Sequence, residues 1–128
     1  MVISHIAVYI SDLEKSTRFY KDVMHLQPIP EPFKEGMHSW FQIGPHCQLH
    51  LIAGSKENIK KSINNHLAFT TNSMEAFIDR LVSAGFGYSD ANGTKNKVHI
   101  RPDGIKQIFF QDPDGYWLEV NKDTQQQS

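Results

Sequence analysis

The chain lacks the features that mark disulfide-rich, membrane or nucleic-acid-binding proteins. Cys47 is its one cysteine, so no disulfide can form within the chain, and we expect a reducing, cytoplasmic environment. No apolar run approaches the roughly 20 residues that a transmembrane helix needs, and the N-terminus has no cationic start followed by an apolar signal core. The net charge is −1, which gives no electrostatic reason to expect nucleic acid or an anionic membrane as a partner.

What the chain does contain is an internal repeat. The segment SHIAVYI at 4–10 leads into SDLEKSTRFYKDVM, and the segment NHLAFTT at 65–71 leads into NSMEAFIDRLVSAG. Each predicts a strand of alternating character followed by a helix. Ser11 or Asp12 can cap the first helix, and Asn72 or Ser73 the second.

The second parts of the two halves also correspond. HSWFQIGPHCQLHLI at 38–52 predicts two short strands around Gly44-Pro45, and KQIFFQDPDGYWLEV at 106–120 predicts two around the turn DPDG at 112–115. Each half therefore predicts β-α-β-β-β, with the weakest strand signals near 27–33, where prolines permit only an edge strand or extended loop, and near 88–101. We expect one α+β domain over 1–128, with module 1 at 3–53, a polar linker at 54–64 and module 2 at 65–122.

Four predicted strands carry a metal-competent side chain on the face opposite their apolar residues. These side chains are His5, His50, His66 and Glu119. His5 and His66 hold equivalent places in the two halves, as do His50 and Glu119, so a two-fold arrangement of the halves would bring all four towards one axis. Three imidazoles and a carboxylate suit divalent Zn, Ni, Mn, Co or Fe, and burial of Glu119 without a cation would be costly. The alternative is four unrelated polar residues.

Three other residues are candidates for contact with a small-molecule substrate. Trp40 lies on the strand face opposite Phe41 and could stack on a flat substrate, although a tryptophan on a sheet more often only packs. Phe109 is a similar candidate on a later strand. Arg101, beside a Pro-Asp-Gly turn, could clamp a carboxylate or phosphate, although charges in surface loops are commoner.

The chain resembles the vicinal oxygen chelate superfamily, which includes glyoxalase I, bleomycin-resistance proteins, fosfomycin-resistance enzymes, methylmalonyl-CoA epimerase and extradiol dioxygenases. HIAVYISDLEKSTRFYKDVM is similar to the opening strand and helix of the family, and FFQDPDGYWLEV to its closing hairpin. The resemblance implies paired βαβββ modules that form a half-barrel cleft around a divalent metal, and a homodimer in many members. It places the metal ligands at His5, His50, His66 and Glu119. Bacterial glyoxalase I typically has glutamate at the position of His50.

The resemblance favours a metal-dependent, lactoylglutathione-lyase-type isomerase or lyase with Glu119 as its base. A second reaction compatible with it is that of an Fe(II) extradiol-type dioxygenase, with His5, His66 and Glu119 as the iron-binding triad and His50 as an acid-base residue. Those dioxygenases usually carry a tandem of two such domains. The resemblance is also compatible with thiol transfer to an antibiotic such as fosfomycin, and with metal-free drug binding like that of the bleomycin-resistance proteins. The intact ligand set argues against metal-free binding.

Overall fold

A computed structural model describes residues 1–57 and 59–122. The chain divides into two compact units, unit 1 over Met1–Ile59 and unit 2 over Lys60–Ser128. Each unit contains a four-stranded mixed sheet and a helical segment, so the architecture is α+β as predicted. The boundary falls inside the predicted linker at 54–64. The predicted single domain also includes positions 58 and 123–128, which lie outside the described residues.

Unit 1 runs from a strand through a helical segment to three further strands. Its elements are β1 (His5–Ile10), α1 (Leu13–Arg18), a π-helical turn (Phe19–Val23), β2 (Gln27–Ile29), β3 (His38–Gln42) and β4 (Gln48–Ala53). In the sheet order β1-β4-β3-β2, the pair β1–β4 is parallel and the other pairs are antiparallel. β2 lies at the edge, which is the position that Pro28 permits. Asp12 caps α1, because its Oδ1 accepts the backbone N–H of Lys15 at 3.0 Å.

Unit 2 repeats this order of elements. They are β5 (His66–Thr70), α2 (Met74–Ser83), β6 (His99–Ile100), β7 (Lys106–Gln111) and β8 (Trp117–Lys122). The sheet order is β5-β8-β7-β6, with β5 parallel to β8. Ser73 caps α2 through a hydrogen bond from the backbone N–H of Ala76. The apolar residues of β1, β4 and β5 are less exposed than the residues that alternate with them, as predicted, whereas Glu119 on β8 is itself buried. α1 packs on β3 and β4, and α2 packs on β8.

The strand expected near 88–101 is much shorter than predicted. Only His99–Ile100 forms a strand there, and Ser89, earlier in the segment, forms two isolated bridges, one with Lys95 and one with Phe109. The side chain of Asp90 accepts the backbone N–H groups of Asn92 and Thr94 at 3.0 and 2.8 Å. These bonds bend the chain into a turn, because backbone groups held by a side chain cannot pair with a neighbouring strand. None of the described helices has the length and apolar character needed to cross a membrane.

Candidate functional site

The two predicted ligands of unit 2 lie side by side. His66 opens β5, and Glu119 lies on the adjacent strand β8, in register with Ala68. Nε2 of His66 is 3.2 Å from Oε1 of Glu119. The Glu119 side chain is 7% exposed and the His66 ring is 26% exposed. The carboxylate is therefore buried, while the imidazole remains partly open to solvent.

The other ring nitrogen of His66 determines what can lie between this pair. Nδ1 of His66 is 2.7 Å from the backbone carbonyl oxygen of Ile63. A carbonyl oxygen only accepts hydrogen bonds, so Nδ1 carries the proton. In the neutral imidazole, Nε2 then presents a lone pair to a carboxylate oxygen of Glu119, and two acceptors face each other. The contact is favourable only if a proton or a metal cation lies between the two atoms.

The distance between these two atoms fits a shared metal ion. Two ligand atoms that each lie about 2.1 Å from a metal, at an angle of roughly 90–110°, are separated by about 3.0–3.4 Å. The 3.2 Å between Nε2 of His66 and Oε1 of Glu119 is within this range. The bond from Nδ1 of His66 to a backbone carbonyl is also the usual way in which a metal-binding histidine is oriented. Both residues therefore fit the role of metal ligands.

Two amide side chains hold the second oxygen of Glu119. Nε2 of Gln107 donates to Oε2 at 3.0 Å, and Nδ2 of Asn121 donates to the same oxygen at 2.8 Å. Neither residue was among those predicted from the sequence. The period-2 alternation that singled out Glu119 could have found them, because Asn121 follows Glu119 by two positions on β8 and Gln107 precedes Phe109 by two positions on β7.

Phe109, predicted to contact a substrate, lies next to this pair. It is the cross-strand neighbour of Glu119, and its ring meets the His66 ring edge-on with centroids 5.4 Å apart. Phe109 is only 5% exposed. Its ring therefore packs against the imidazole and helps to fix the orientation of His66.

The corresponding residues of unit 1 form a stack of three rings. The rings of His5 and His50 are stacked with centroids 4.3 Å apart and an interplanar angle of 14°. The Trp40 ring lies on the other side of His50, at 3.7 Å and 3°. The sheet register explains this arrangement, because Trp40 is directly across from His50 on β3. The predicted ligands His5 and His50 and the predicted substrate residue Trp40 are thus brought together within unit 1.

The hydrogen bonds of His50 define which of its nitrogens is available. Nε2 of His50 is 2.9 Å from Oε1 of Gln48. An amide oxygen accepts, so Nε2 donates and Nδ1 holds the lone pair. Burial lowers the pKa of His50 below its ordinary value, and electrostatic interaction with His5 and His38 lowers this pKa further. His50 is thus favoured in its neutral form.

The polar groups of Trp40 and Arg101 have different environments. The indole N–H of Trp40 is buried and has no hydrogen-bond partner within the described part of the chain. The guanidinium of Arg101 forms a two-pronged ion pair with Asp103 in its own loop. The substrate contacts predicted for Trp40 and Arg101 remain predictions.

Each unit thus contributes a pair of candidate ligands. Across residues 1–57 and 59–122, no group of three or more histidine, cysteine, aspartate or glutamate side chains comes together in a way that could hold a metal ion. The set of four ligands, His5, His50, His66 and Glu119, therefore remains a prediction from the sequence.

Comparison with known proteins identifies the family. Residues 2–120 match the model of the glyoxalase/bleomycin resistance protein/dioxygenase superfamily. The metallothiol transferase FosB of Shouchella clausii (strain KSM-K16) is 32% identical over 126 residues, which cover 95% of this chain and 80% of that protein. Glyoxylase I 4 of Arabidopsis thaliana is 27% identical over 124 residues, covering 92% of this chain and 68% of that protein.

Solved structures show the same fold. The oxidase ChaP-H2 superposes with a TM-score of 0.78 at 23% identity, over 96% of this chain and 94% of that chain. The fosfomycin resistance protein FosX of Listeria monocytogenes superposes with a TM-score of 0.76 at 20% identity, over 97% and 94% of the two chains. With the family match across nearly its whole length, the chain belongs to the glyoxalase/bleomycin resistance protein/dioxygenase superfamily, also called the vicinal oxygen chelate superfamily.

Proposed function

We propose that this protein is a divalent-metal-dependent enzyme that acts on a small substrate with neighbouring oxygen atoms. The observation that carries the proposal is the contact between Nε2 of His66 and Oε1 of Glu119, where two acceptor atoms lie at the spacing of ligands to one metal. The family resemblance assigns the next ligand to His5. His50 was predicted as a fourth ligand, and in the conformation described it would bind only through Nδ1.

The ligand types limit the choice of metal and the chemistry that follows. Imidazole and carboxylate ligands suit Zn, Ni, Mn, Co or Fe in the divalent state. A divalent ion held by these residues would polarise a substrate oxygen and stabilise the negative charge that develops on it.

The residues of the chain have distinct parts in a lactoylglutathione-lyase-type isomerisation, the reaction that we favour. Oε1 of Glu119 would have two parts in turn, as a metal ligand before the substrate binds and then as the base that takes a proton from the carbon next to the substrate carbonyl, since Oε2 already accepts two amide hydrogen bonds. Ile63 and Phe109 fix the His66 ring through a hydrogen bond and an edge contact. Trp40, whose ring is stacked on His50, is the residue predicted to contact a flat substrate.

Thiol transfer is the second candidate reaction, because a metallothiol transferase is 32% identical over 95% of this chain. A thiol would lose its proton to solvent, and the thiolate would attack an electrophilic carbon of the substrate and form a carbon–sulfur bond. The bond from that carbon to oxygen would break, and the released oxygen would keep the electron pair and take up a proton from solvent. In this reaction Glu119 would serve only as a metal ligand and would take no proton. The two reactions therefore differ in whether the Glu119 carboxylate must act as a base.

Elemental analysis of tag-free protein that has never been exposed to a nickel column tests the metal site. We expect about one divalent metal per chain, and its loss in a His66→Ala variant. A His46→Ala variant, which removes an exposed histidine outside the pair, serves as the control and should retain the metal. Absence of metal from the wild-type protein, with none taken up on reconstitution, would overturn the proposal.

Activity assays then separate the reactions. The hemithioacetal of methylglyoxal and glutathione tests the isomerase, and fosfomycin with glutathione or cysteine tests thiol transfer. Oxygen consumption with catechols tests the dioxygenase reaction. Light scattering of the same preparation tests the homodimer that the resemblance implies.

A further inference from the structure

We infer that Gln107 and Asn121 are positioning residues, which hold Oε2 of Glu119 so that Oε1 is the single oxygen offered to a metal. We call these two residues the amide clamp. The inference rests on the proposed metal site, and it concerns how that site is built and how tightly it binds.

The backbone places the amide clamp. Gln107 on β7 and Asn121 on β8 are directly paired across the antiparallel ladder, and Phe109 and Glu119 form the next such pair on the same face. Both amide nitrogens reach one oxygen, at 3.0 and 2.8 Å. Because both donors come from paired strands, the ladder fixes their positions relative to the carboxylate, and neither depends on a loop.

The chemistry of the clamp differs from that of an ion pair. Neutral amide donors bring no positive charge to the carboxylate, so they do not offset its negative charge for a cation. A lysine or arginine in their place would neutralise that charge and compete with the metal. Lys106 and Lys122 are adjacent in sequence to the clamp residues, but they line a groove beside α2 together with Met74 and Ile78. Alternation thus directs the lysines away from Glu119 and the amides towards it.

The clamp also determines the orientation of the carboxylate. With Oε2 held by two donors, the carboxyl group cannot rotate freely, and Oε1 stays 3.2 Å from Nε2 of His66. Glu119 is therefore prepared to bind a metal through one oxygen. Hydrogen-bonding partners of metal ligands typically contribute about 10–100-fold in metal affinity.

Titration of the metal-free, full-length protein with Co²⁺ tests the inference. The variants are Gln107→Met and Asn121→Leu, which keep approximate side-chain size without the donor. We expect each to weaken Co²⁺ binding by about tenfold and the double variant by about 100-fold. The visible Co²⁺ spectrum should also change in the double variant, because a released carboxylate can bind through both oxygens. Gln107→Asn, which keeps the amide but shortens its reach, provides a milder variant if Gln107→Met does not fold.

Gln111→Met is the matched control. Gln111 lies on the same strand and its amide also donates a hydrogen bond, at 3.0 Å, but to the backbone carbonyl of Gly115. We expect Co²⁺ affinity to be unchanged in this variant.

The outcomes separate the inference from the proposed function. If the wild-type protein binds no Co²⁺, the metal site and the clamp both fail. If the wild type binds Co²⁺ and the clamp variants bind it equally well, only the clamp fails. A lower melting temperature of the metal-free clamp variants with unchanged Co²⁺ affinity would show that the two amides only stabilise the fold, and would also overturn the inference.

Discussion

The two units place candidate ligands at equivalent positions of equivalent strands, yet the contacts between those ligands differ. In unit 2, His66 and Glu119 meet through a nitrogen and an oxygen at 3.2 Å. In unit 1, His5 and His50 meet through their ring faces, with centroids 4.3 Å apart. The same backbone arrangement therefore gives a polar pair with the geometry of metal ligands in one unit and an aromatic stack in the other. The backbone brings the positions together, and the residue types decide what the contact can do.

The aromatic residues opposite the candidate ligands also make different contacts in the two units. Each unit has an aromatic residue directly across from its ligand on the last strand, Trp40 opposite His50 and Phe109 opposite Glu119. The Trp40 ring stacks on the imidazole ring of His50. Phe109 is opposite a carboxylate and instead contacts the ring of His66. An aromatic residue thus supports a histidine in both units, but the histidine lies on a different strand.

The largest expected effect comes from making the same substitution at one candidate ligand histidine in each unit. His66→Phe should weaken metal binding by more than the roughly 100-fold limit typical of outer-sphere partners, because it removes a direct ligand. His50→Phe should weaken binding less than His66→Phe does, because Nε2 of His50 is engaged by Gln48 and only Nδ1 could bind a metal, while phenylalanine can keep the stack with Trp40 and His5. Competition for Zn²⁺ with a chromophoric chelator measures both affinities. Equal loss in the two variants would make His50 a ligand, and the contrast between the units would disappear.

The next largest expected effect is on the free energy of unfolding, when each of the two tryptophans is replaced by phenylalanine. Nε1 of Trp117 donates to the carbonyl of Lys61 at 3.2 Å, whereas Nε1 of Trp40 is buried without a partner in the residues described. Trp117→Phe should lower the free energy of unfolding by about 1–2 kcal/mol, since it loses both packing and a hydrogen bond. Trp40→Phe should change it by less than about 0.5 kcal/mol, because removal of an unsatisfied donor offsets the lost packing. Urea unfolding followed by circular dichroism measures both. Equal losses would show that the Trp40 N–H finds a partner in solution.

Much of the backbone arrangement that the two units share could be predicted from the sequence, because period-2 alternation is a local property of strands. It correctly predicts a less exposed and a more exposed face for β1, β4 and β5, but on β8 Glu119 is buried beside Leu118 and Val120. The repeat of His-aliphatic-Ala at the start of both halves identified the equivalent strands. Turn signals correctly located the hairpins around 44–45 and 112–115.

The sequence could not reveal the contacts that depend on side-chain orientation. Alternation places His50 and Glu119 on the same kind of strand face. It does not indicate that the His50 ring is stacked on Trp40, or that the Glu119 carboxylate is held by two amides. The segment 88–101 was also misjudged, because a single side chain, Asp90, holds two backbone N–H groups and bends the chain. Such hydrogen bonds form between residues close in sequence. Whether they prevail over strand pairing depends on contacts with the rest of the sheet, which the local sequence does not show.

Substitutions at the two helix caps test whether the equivalent positions of the two units contribute equally to the free energy of unfolding. Asp12→Ala and Ser73→Ala each remove a side-chain acceptor from a backbone N–H at a helix start, and each should lower the free energy of unfolding by about 1 kcal/mol. Asn72→Ala serves as the control. Asn72 was the other candidate cap of α2, and its replacement should change stability by less than about 0.5 kcal/mol. A large loss in this control would mean that Asn72, rather than Ser73, starts the helix in solution.

The smallest expected effect is a difference in the pH range over which each unit loses stability. The pKa of His50 is lowered by burial and by electrostatic interaction with His5 and His38, so the unfolded chain takes up a proton at a higher pH than the folded one. The stability of the metal-free protein should therefore be fully present above about pH 6.5 and fall as the pH drops below this value towards the lowered pKa.

In unit 2, the hydrogen bond from the backbone of Thr94 is the main cause that lowers the pKa of Asp90, and the backbone of Asn92 and the charge of Lys97 contribute less. That contribution to stability is present above the ordinary carboxyl pKa, about 4, and is lost as the pH falls through the lowered pKa. Urea midpoints measured between pH 7.5 and 3 should show that His50→Phe removes the loss in the upper range, while Asp90→Asn removes that in the lower range. If both variants instead changed the urea midpoints over the same pH range, the His50 ring would not be desolvated by its stack. The two units would then lose stability over the same pH range.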